Sequence, residues 1–281
     1  MLTQLEGGAA VVTGGGSGIG RAMVHAWASS GMNVVVADVE RSPADSVADE
    51  ARALGVRASS VVCDVADPDA VESLAATAFS EFGEINILCN NAGVAFSKPL
   101  EECTMADWYW VFGVNLFGVV HCVQSFLPRM KAQQAPAHIV NTASGAGLFG
   151  GSPTRAGIYV ASKHAIVGYT EQLRFELEDD PALVSVSVLC PGAVRTKIFQ
   201  AERNRPDGVH QDDSQPYTAH VLERLETGGM DPMEVGEIVK SGVLADRLYI
   251  MTHRGGHDGV LRKFANLFEA YASVPGPESN G

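Results

Sequence analysis

The chain of 281 residues is 46% hydrophobic and 19% charged, with 30 glycines and 13 prolines, which excludes disordered, collagen-like and coiled-coil chains and fits one α/β domain with decorations. Twenty Lys and Arg against 33 Asp and Glu leave a formal charge of −13, so nucleic acid or an anionic membrane would bind against the field and a small molecule is the expected partner. The five cysteines, Cys63, Cys89, Cys103, Cys122 and Cys190, form no CxxC pair; with no signal-like segment before the apolar run that begins by Ala9, a cytoplasmic protein is expected.

Short Val- and Ile-rich runs alternate with helix-length amphipathic segments. Strands are predicted at 9–13, 33–38, 58–63, 85–90, 137–142, 184–190 and 247–252. Helices are predicted at 18–30, 43–54, 67–82, 104–132, 156–178, 232–244 and 258–272. This alternation predicts a doubly wound, Rossmann-type seven-stranded parallel sheet with helices on both faces, a single domain over 1–281, because parallel neighbours need right-handed crossovers. The most apolar stretch, 111–123, contains Asn115 and His121 and is shorter than a bilayer span. Residues 197–230 are polar, contain Pro206 and Pro216, and exceed a packed connection in length; they are expected to form a substrate lid, with an idle insertion as the alternative. Residues 254–281 read as a C-terminal helical extension and tail.

The first strand runs into TGGGSGIG at 13–20 and then a helix. Glycines at that junction let the backbone approach a pyrophosphate, whose charge a helix N-terminus favours. The second strand, NVVVAD, ends in Asp38, the offset at which a carboxylate accepts both ribose hydroxyls of an adenosine and repels a 2′-phosphate. NAD is therefore the expected cofactor. Ser17 in the loop is not basic and Val39 follows the acid, while Arg41 keeps NADP open. A helix cap is the alternative role for Asp38.

Further motifs follow in order: NNAG at 90–93, Asn115 within GVNLFG, NTASGAG at 141–147 with Ser144, Tyr159-V-A-S-Lys163, and PGAVRT at 191–196. From about Leu5 to Thr196 the sequence resembles the short-chain dehydrogenase/reductase family. That resemblance implies a catalytic set of Asn115, Ser144, Tyr159 and Lys163. It also implies a cofactor groove of Gly14, Ser17, Gly18, Ile19 and Gly20, with Asp38, Asp64 and Val65 near the adenine and Asn91, Ala92 and Gly93 along the groove. Tyr159 and Lys163 would also touch the cofactor, and Thr196 would meet the carboxamide.

The residue types suit the chemistry. Tyr159 and Lys163 stand i to i+4 on one helical face, so an ammonium near the phenol favours the phenolate that accepts an alcohol proton. Ser144 would hold the substrate oxygen, and Asn115 would brace a water that connects Lys163 to solvent. Pocket walls are expected near 94–97, 148–155 and 198–230, with Phe199, Tyr217 and Met230 as apolar contacts.

Other signals are weaker. His253, His257 and Asp258 in THRGGHD lack an evident third ligand across a flexible GG turn, and no metal site is expected. Cys63, Cys89 and Cys190 read as buried hydrophobes, and Trp108, Tyr109 and Trp110 as packing or subunit contacts. Residues 231–272 are faintly similar to family members that oxidise benzylic alcohols of aryl ethers. The whole implies an NAD-dependent oxidoreductase that interconverts a secondary alcohol and a ketone on a moderately apolar, possibly aromatic, small molecule. It is expected to work as a homodimer or homotetramer. A non-catalytic NAD-binding regulator and an NADP-dependent carbonyl reductase are the alternatives.

Overall fold

The structure, a computed structural model, describes residues 2, 4–149, 155–206 and 215–274. Its centre is a parallel sheet of seven strands: β1 (Ala9–Thr13), β2 (Asn33–Asp38), β3 (Ala58–Val62), β4 (Ile87–Asn90), β5 (Ala137–Thr142), β6 (Val184–Cys190) and β7 (Tyr249–Met251). They lie in the order β3-β2-β1-β4-β5-β6-β7. The order reverses between β1 and β4, so the loops leaving those strands diverge and open a crevice at the carboxyl end of the sheet.

The period-two alternation of strand side chains divides the core. Val11, Val35, Leu88, Ile139 and Val186 face α3 (Pro68–Phe82), α5 (Gly118–Ala132) and α6 (Gly157–Glu178), where Leu74, Phe126 and Ile166 are buried. Val12, Val34, Val36, Val140 and Leu189 point the other way, towards α1 (Gly18–Ala28), α2 (Arg41–Ala53) and α8 (Pro232–Leu244), with Met23, Trp27, Val47 and Val239. All five cysteines are free thiols, and Cys63, Cys89 and Cys190 are buried as expected.

Several element ends move by one or two residues, as at Ile87 for the strand expected from 85 and Arg41 for the helix expected from 43, and three departures bear on the architecture around the site. The expected helix over 104–132 is interrupted: α4 (Met105–Phe112) and α5 are joined by a π turn at Gly113–Phe117. The extra residue in that turn carries Asn115 inward, where its side chain pairs with the Val94 backbone. The continuous run Met105–Ala132 is long and apolar enough to cross a membrane by length and composition alone. Here it lies against the sheet, with Val111, Val119, Val123 and Phe126 buried.

The seventh strand is shorter than 247–252, because Arg247 N–H still bonds the Gly242 carbonyl to close α8, leaving Tyr249–Met251 to pair with β6. Within 197–230 the described residues are more ordered than a polar insertion implies. They hold a 3-10 turn at Ile198–Asn204 and α7 (Gln215–Gly228), and Met230 pairs through its backbone with 193–195.

At the amino end of the sheet, His138 is buried between β5 and β6. Its Nε2–H donates to Ser187 Oγ (2.7 Å), which donates to the Arg247 carbonyl (2.6 Å). Nδ1 stands 3.8 Å from Asp246, whose carboxylate is held by both terminal nitrogens of Arg174 (2.8 and 2.9 Å). Burial, with Asp246 opposing it, pulls the imidazole from 6.5 down to about 4. The unfolded chain therefore binds a proton here that the folded chain refuses. Stability from this group is complete above pH 6.5 and falls as the pH drops to about 4. Urea melts across that window should show uptake of about one proton on unfolding, which His138→Gln abolishes.

Candidate active site

The crevice at the switch point is a cleft of about 2110 Å³ running from Asp38 to the start of α9 (His257–Ala272). Drug-sized sites occupy roughly 300–1,000 Å³, so this one has room for a dinucleotide and a second molecule.

Its floor begins with the glycine loop. Gly14 (φ 62°) and Gly18 (φ 52°) sit in the left-handed region, and a Cβ on Gly14 would lie 2.8 Å from Ala92 Cα. Gly20 works beneath the surface: its Cβ would stand 2.0 Å from the Gly14 carbonyl oxygen, so it permits the turn and does not line the cleft. Thr13 Oγ1 accepts the backbone N–H of Asn91 and of Ala92, and Asn91 Nδ2 donates to the Thr13 carbonyl, bolting the two crevice loops together.

The Asp38 carboxylate accepts N–H bonds from Gly16 (2.9 Å) and Glu40 (3.0 Å), one on each oxygen. Glu40, not Asp38, occupies the cap position of α2. A carboxylate offers about four acceptor sites, so two remain for ligand hydroxyls. Asp64, Val65, Ser17, Ile19, Gly93 and Thr196 line the same cleft. Arg41 does not.

At the centre, α6 places Tyr159 and Lys163 one turn apart. Lys163 is 2% exposed, and its Nζ donates to the Thr142 carbonyl at the end of β5 (2.8 Å) while standing 5.5 Å from the Tyr159 ring centre. Burial pulls its ammonium down to about 7. Burial also pushes the Tyr159 phenol upward, against a hydrogen bond from Ser144. Ser144 Oγ accepts the N–H of Ala146 (3.1 Å), which leaves its proton free to be donated. Gly93 passes close by: a Cβ there would stand 3.4 Å from Asn115 Oδ1 and 3.6 Å from Lys163 Nζ.

Asn115 lies behind this group, outside the cleft lining. Its Oδ1 accepts from Val94 N (2.8 Å), and its Nδ2 donates to the Val94 carbonyl and to Ser162 Oγ (both 3.0 Å). Ser162 Oγ in turn donates to the Tyr159 carbonyl. The asparagine side chain thus ties the Val94 loop to the turn of α6 that bears the tyrosine. Thr142 and Ser162 were not singled out from sequence; Ser162, between Tyr159 and Lys163 in YVASK, carried the one available signal.

The walls differ in part from expectation. Phe199 packs on Tyr159 with ring centres 6.3 Å apart, as an apolar contact should. Met230 instead turns into the core beside α8. Of 94–97 only Val94 lines the cleft, and Ala106, Tyr109 and Trp110 of α4 supply that wall. The expected contact at Tyr217 and the stretch 150–154 lie outside the described side chains.

Beyond Phe199 the chain straps across the cleft. Glu40 Oε1 accepts from Arg203 Nε and Asn204 Nδ2 (both 2.8 Å), and these bonds hold its carboxyl below the usual range. Arg205 is then driven inward. It is 97% covered at its side chain, ion-paired with equally buried Asp107, and sits 5.2 and 4.6 Å from the ring centres of Phe96 and Trp110. The Trp110 ring, expected as plain packing, holds a cation, and that cation is the chain's own.

The site's relatives can now be named. A family profile described as short chain dehydrogenase matches residues 8–207. A 1-deoxy-11-beta-hydroxypentalenate dehydrogenase from Streptomyces arenae is 36% identical over 273 residues, spanning 96% of this chain and 89% of that protein. A C alpha-dehydrogenase from a Sphingobium species is 32% identical over 271 residues, spanning 94% and 87%. The crystal structure of a short chain dehydrogenase/reductase from Burkholderia phymatum in complex with NAD has a TM-score of 0.91 at 37% identity, covering 99% of this chain and 100% of that one.

Removing one member of a buried ion pair strands the other. Arg205→Ala should therefore lower unfolding stability by about 3–5 kcal/mol in denaturant melts, and limited proteolysis should then cut first within 198–206. A loss under about 1 kcal/mol would mean that Asp107 is satisfied by Thr104 alone.

Proposed function

The chain belongs to the short-chain dehydrogenase family and acts on CH–OH, and we propose that it uses NAD to interconvert a secondary alcohol and a ketone on a moderately apolar ring compound. The observation that carries this reading is the buried Lys163 ammonium, held by Thr142 one helical turn from Tyr159, with Ser144 bonded to the phenol.

The groove fits a dinucleotide. Gly14 and Gly18 open the backbone where side chains would collide, and Asp38 keeps acceptor sites free. Arg203, which lines the cleft, is ion-paired with Glu40 and so is not free for a 2′-phosphate. The Burkholderia relative, crystallised with NAD, agrees with this preference. The hydroxypentalenate named for the Streptomyces relative agrees with an alcohol on an apolar carbon frame.

NAD+, when bound, supplies the hydride acceptor. Tyr159 takes the alcohol proton as phenolate, and the adjacent ammonium makes that phenolate accessible at neutral pH. Ser144 donates to the substrate oxygen. One of the three Lys163 donors is spent on Thr142, leaving two for the nicotinamide ribose and for the proton as it departs. Asn115 fixes the distance between Val94 and the helix that holds both groups. Residues 197–230 act as a lid whose strap to Glu40 and Asp107 sets its closed position.

Tyr159→Phe should retain NAD binding, read by calorimetry, and lose roughly 10²–10⁴ in kcat for alcohol oxidation. In Lys163→Met the phenolate loses its counter-charge, so the acid limb of the pH–rate profile should move upward by at least about one unit. Turnover within a few-fold of wild type for Tyr159→Phe would remove Tyr159 as the base, whereas no NAD+ reduction by the wild type with any alcohol would favour the regulator reading.

Asp38 tests the cofactor. Asp38→Ala should shift the ratio of kcat/KM for NAD over NADP towards NADP by about 1–3 kcal/mol. A wild-type preference for NADP would overturn the choice of NAD and leave the chemistry at Tyr159 intact.

A further inference from the structure

The THRGGHD turn that follows β7 has no part in the chemistry above, yet it joins the cleft. The Gly145 N–H donates to the Pro191 carbonyl (2.8 Å), which links the loop of Ser144 to the turn after β6. The next residue, Gly192, donates its N–H to Thr252 Oγ1 (3.1 Å) and His253 Nδ1 (3.2 Å). A Cβ on Gly192 would stand 2.6 Å from His253 Cγ, so the imidazole lies directly on that glycine.

Those bonds decide the tautomer. A backbone N–H can only donate, so His253 Nδ1 is an acceptor, and it also takes the Thr252 hydroxyl proton at 2.6 Å. The ring proton is therefore on Nε2, free to donate within the cleft that His253 lines.

The same wall carries unpaired positive charge. Arg254 lines the cleft, and its side chain has no hydrogen-bond or ion-pair partner among the described residues. Lys263, on α9, donates only to the Leu148 carbonyl (3.2 Å). Two acids, Glu171 and Asp258, also line this cleft, and among the described residues neither is ion-paired with Arg254 or Lys263. Glu171 accepts from the Tyr249 hydroxyl (2.5 Å), while Asp258 is 83% exposed and stands beside His257. The same lining includes the apolar Leu148, Phe149, Val260 and Phe264. The start of α9 is held close: Cβ atoms on Gly256 or Gly259 would each lie 3.2 Å from Phe149. Arg254 is exposed and Lys263 half-buried, so both ammonium and guanidinium can reach an anionic group that a ligand brings into the cleft.

We propose that His253, Arg254 and Lys263 form a subsite for a carboxylate carried by the alcohol substrate, on the side of the cleft away from the glycine loop. This rests on the alcohol dehydrogenase reading for the remainder of the substrate. Arg254 and Lys263 supply charge, and His253 Nε2–H supplies a directed hydrogen bond. The substrate class is then an apolar, ring-containing hydroxy acid.

The probes are 4-acetylbenzoate and its methyl ester, which differ only in charge at the far end. Their binding to the NAD-loaded enzyme, measured by calorimetry, should favour the acid by about tenfold or more. Arg254→Gln combined with Lys263→Gln should bring the two affinities together, and Arg254→Lys should keep most of the difference. His253→Phe, which leaves a ring on Gly192, should reduce the acid's advantage. Equal binding of the two probes to wild type, no binding of the acid, or a ratio unchanged in the double variant would overturn the subsite. Oxidation of 4-(1-hydroxyethyl)benzoate is followed separately. Selective acid binding without NADH formation would leave the subsite standing and remove the dehydrogenase reading.

Discussion

A lysine ammonium taken out of water costs several kcal/mol unless it finds partners, and Lys163 finds its partners where the fold needs them. One donor goes to the Thr142 carbonyl, at the last residue of β5, and the rest of the charge faces the Tyr159 ring. The surroundings are shaped to admit it. A Cβ on Gly147 would come within 2.5 Å of the Lys163 carbonyl oxygen. The helix that bears Tyr159 is thus seated against the sheet by the side chain whose ammonium stands 5.5 Å from the Tyr159 ring centre. Burial alone would lower Lys163 and raise Tyr159. An ammonium beside a phenolate opposes both shifts, since each charge favours the other.

A second buried charge serves the architecture. Arg205, paired with Asp107 and flanked by Phe96 and Trp110, fastens the segment after β6 to the start of α4. Asp107 is also the capping-box residue of α4, accepting the Thr104 N–H. One carboxylate therefore starts a helix and anchors a strap. The strap continues to Glu40 at the opposite end of the groove, so the polar composition of 197–206 is the composition of a surface that must tie down at both sides of a cleft.

The parallel sheet and the order of its elements were legible because buried parallel strands read as apolar runs and each crossover needs a helix. The glycine loop and Asp38 were legible too, since a tight turn and a strand-end carboxylate are local requirements. Tyr159 and Lys163 announced themselves by i, i+4 spacing, a property of one helix. What these have in common is that their physical cause lies within a few residues of chain.

Tertiary structure decided the rest, for the opposite reason. That Asn115 sits in a π turn follows from its bonds to Val94, 21 residues away. Arg205 looked like one charge in a polar insertion, and only the approach of Asp107, 98 residues distant in sequence, makes it a buried anchor. Sequence gives His253 no role, and its seat on Gly192 joins residues 61 apart, while Met230 reads as a cleft contact but pairs through its backbone with 193–195. Sequence by itself determined the fold class, the dinucleotide crevice and the tyrosine–lysine pair, each encoded in local periodicity and turn chemistry. Which polar side chains are buried, what they hold and which wall of the cleft carries unpaired charge were set by contacts between distant segments, because burial and hydrogen-bond partnership exist only once the chain has folded.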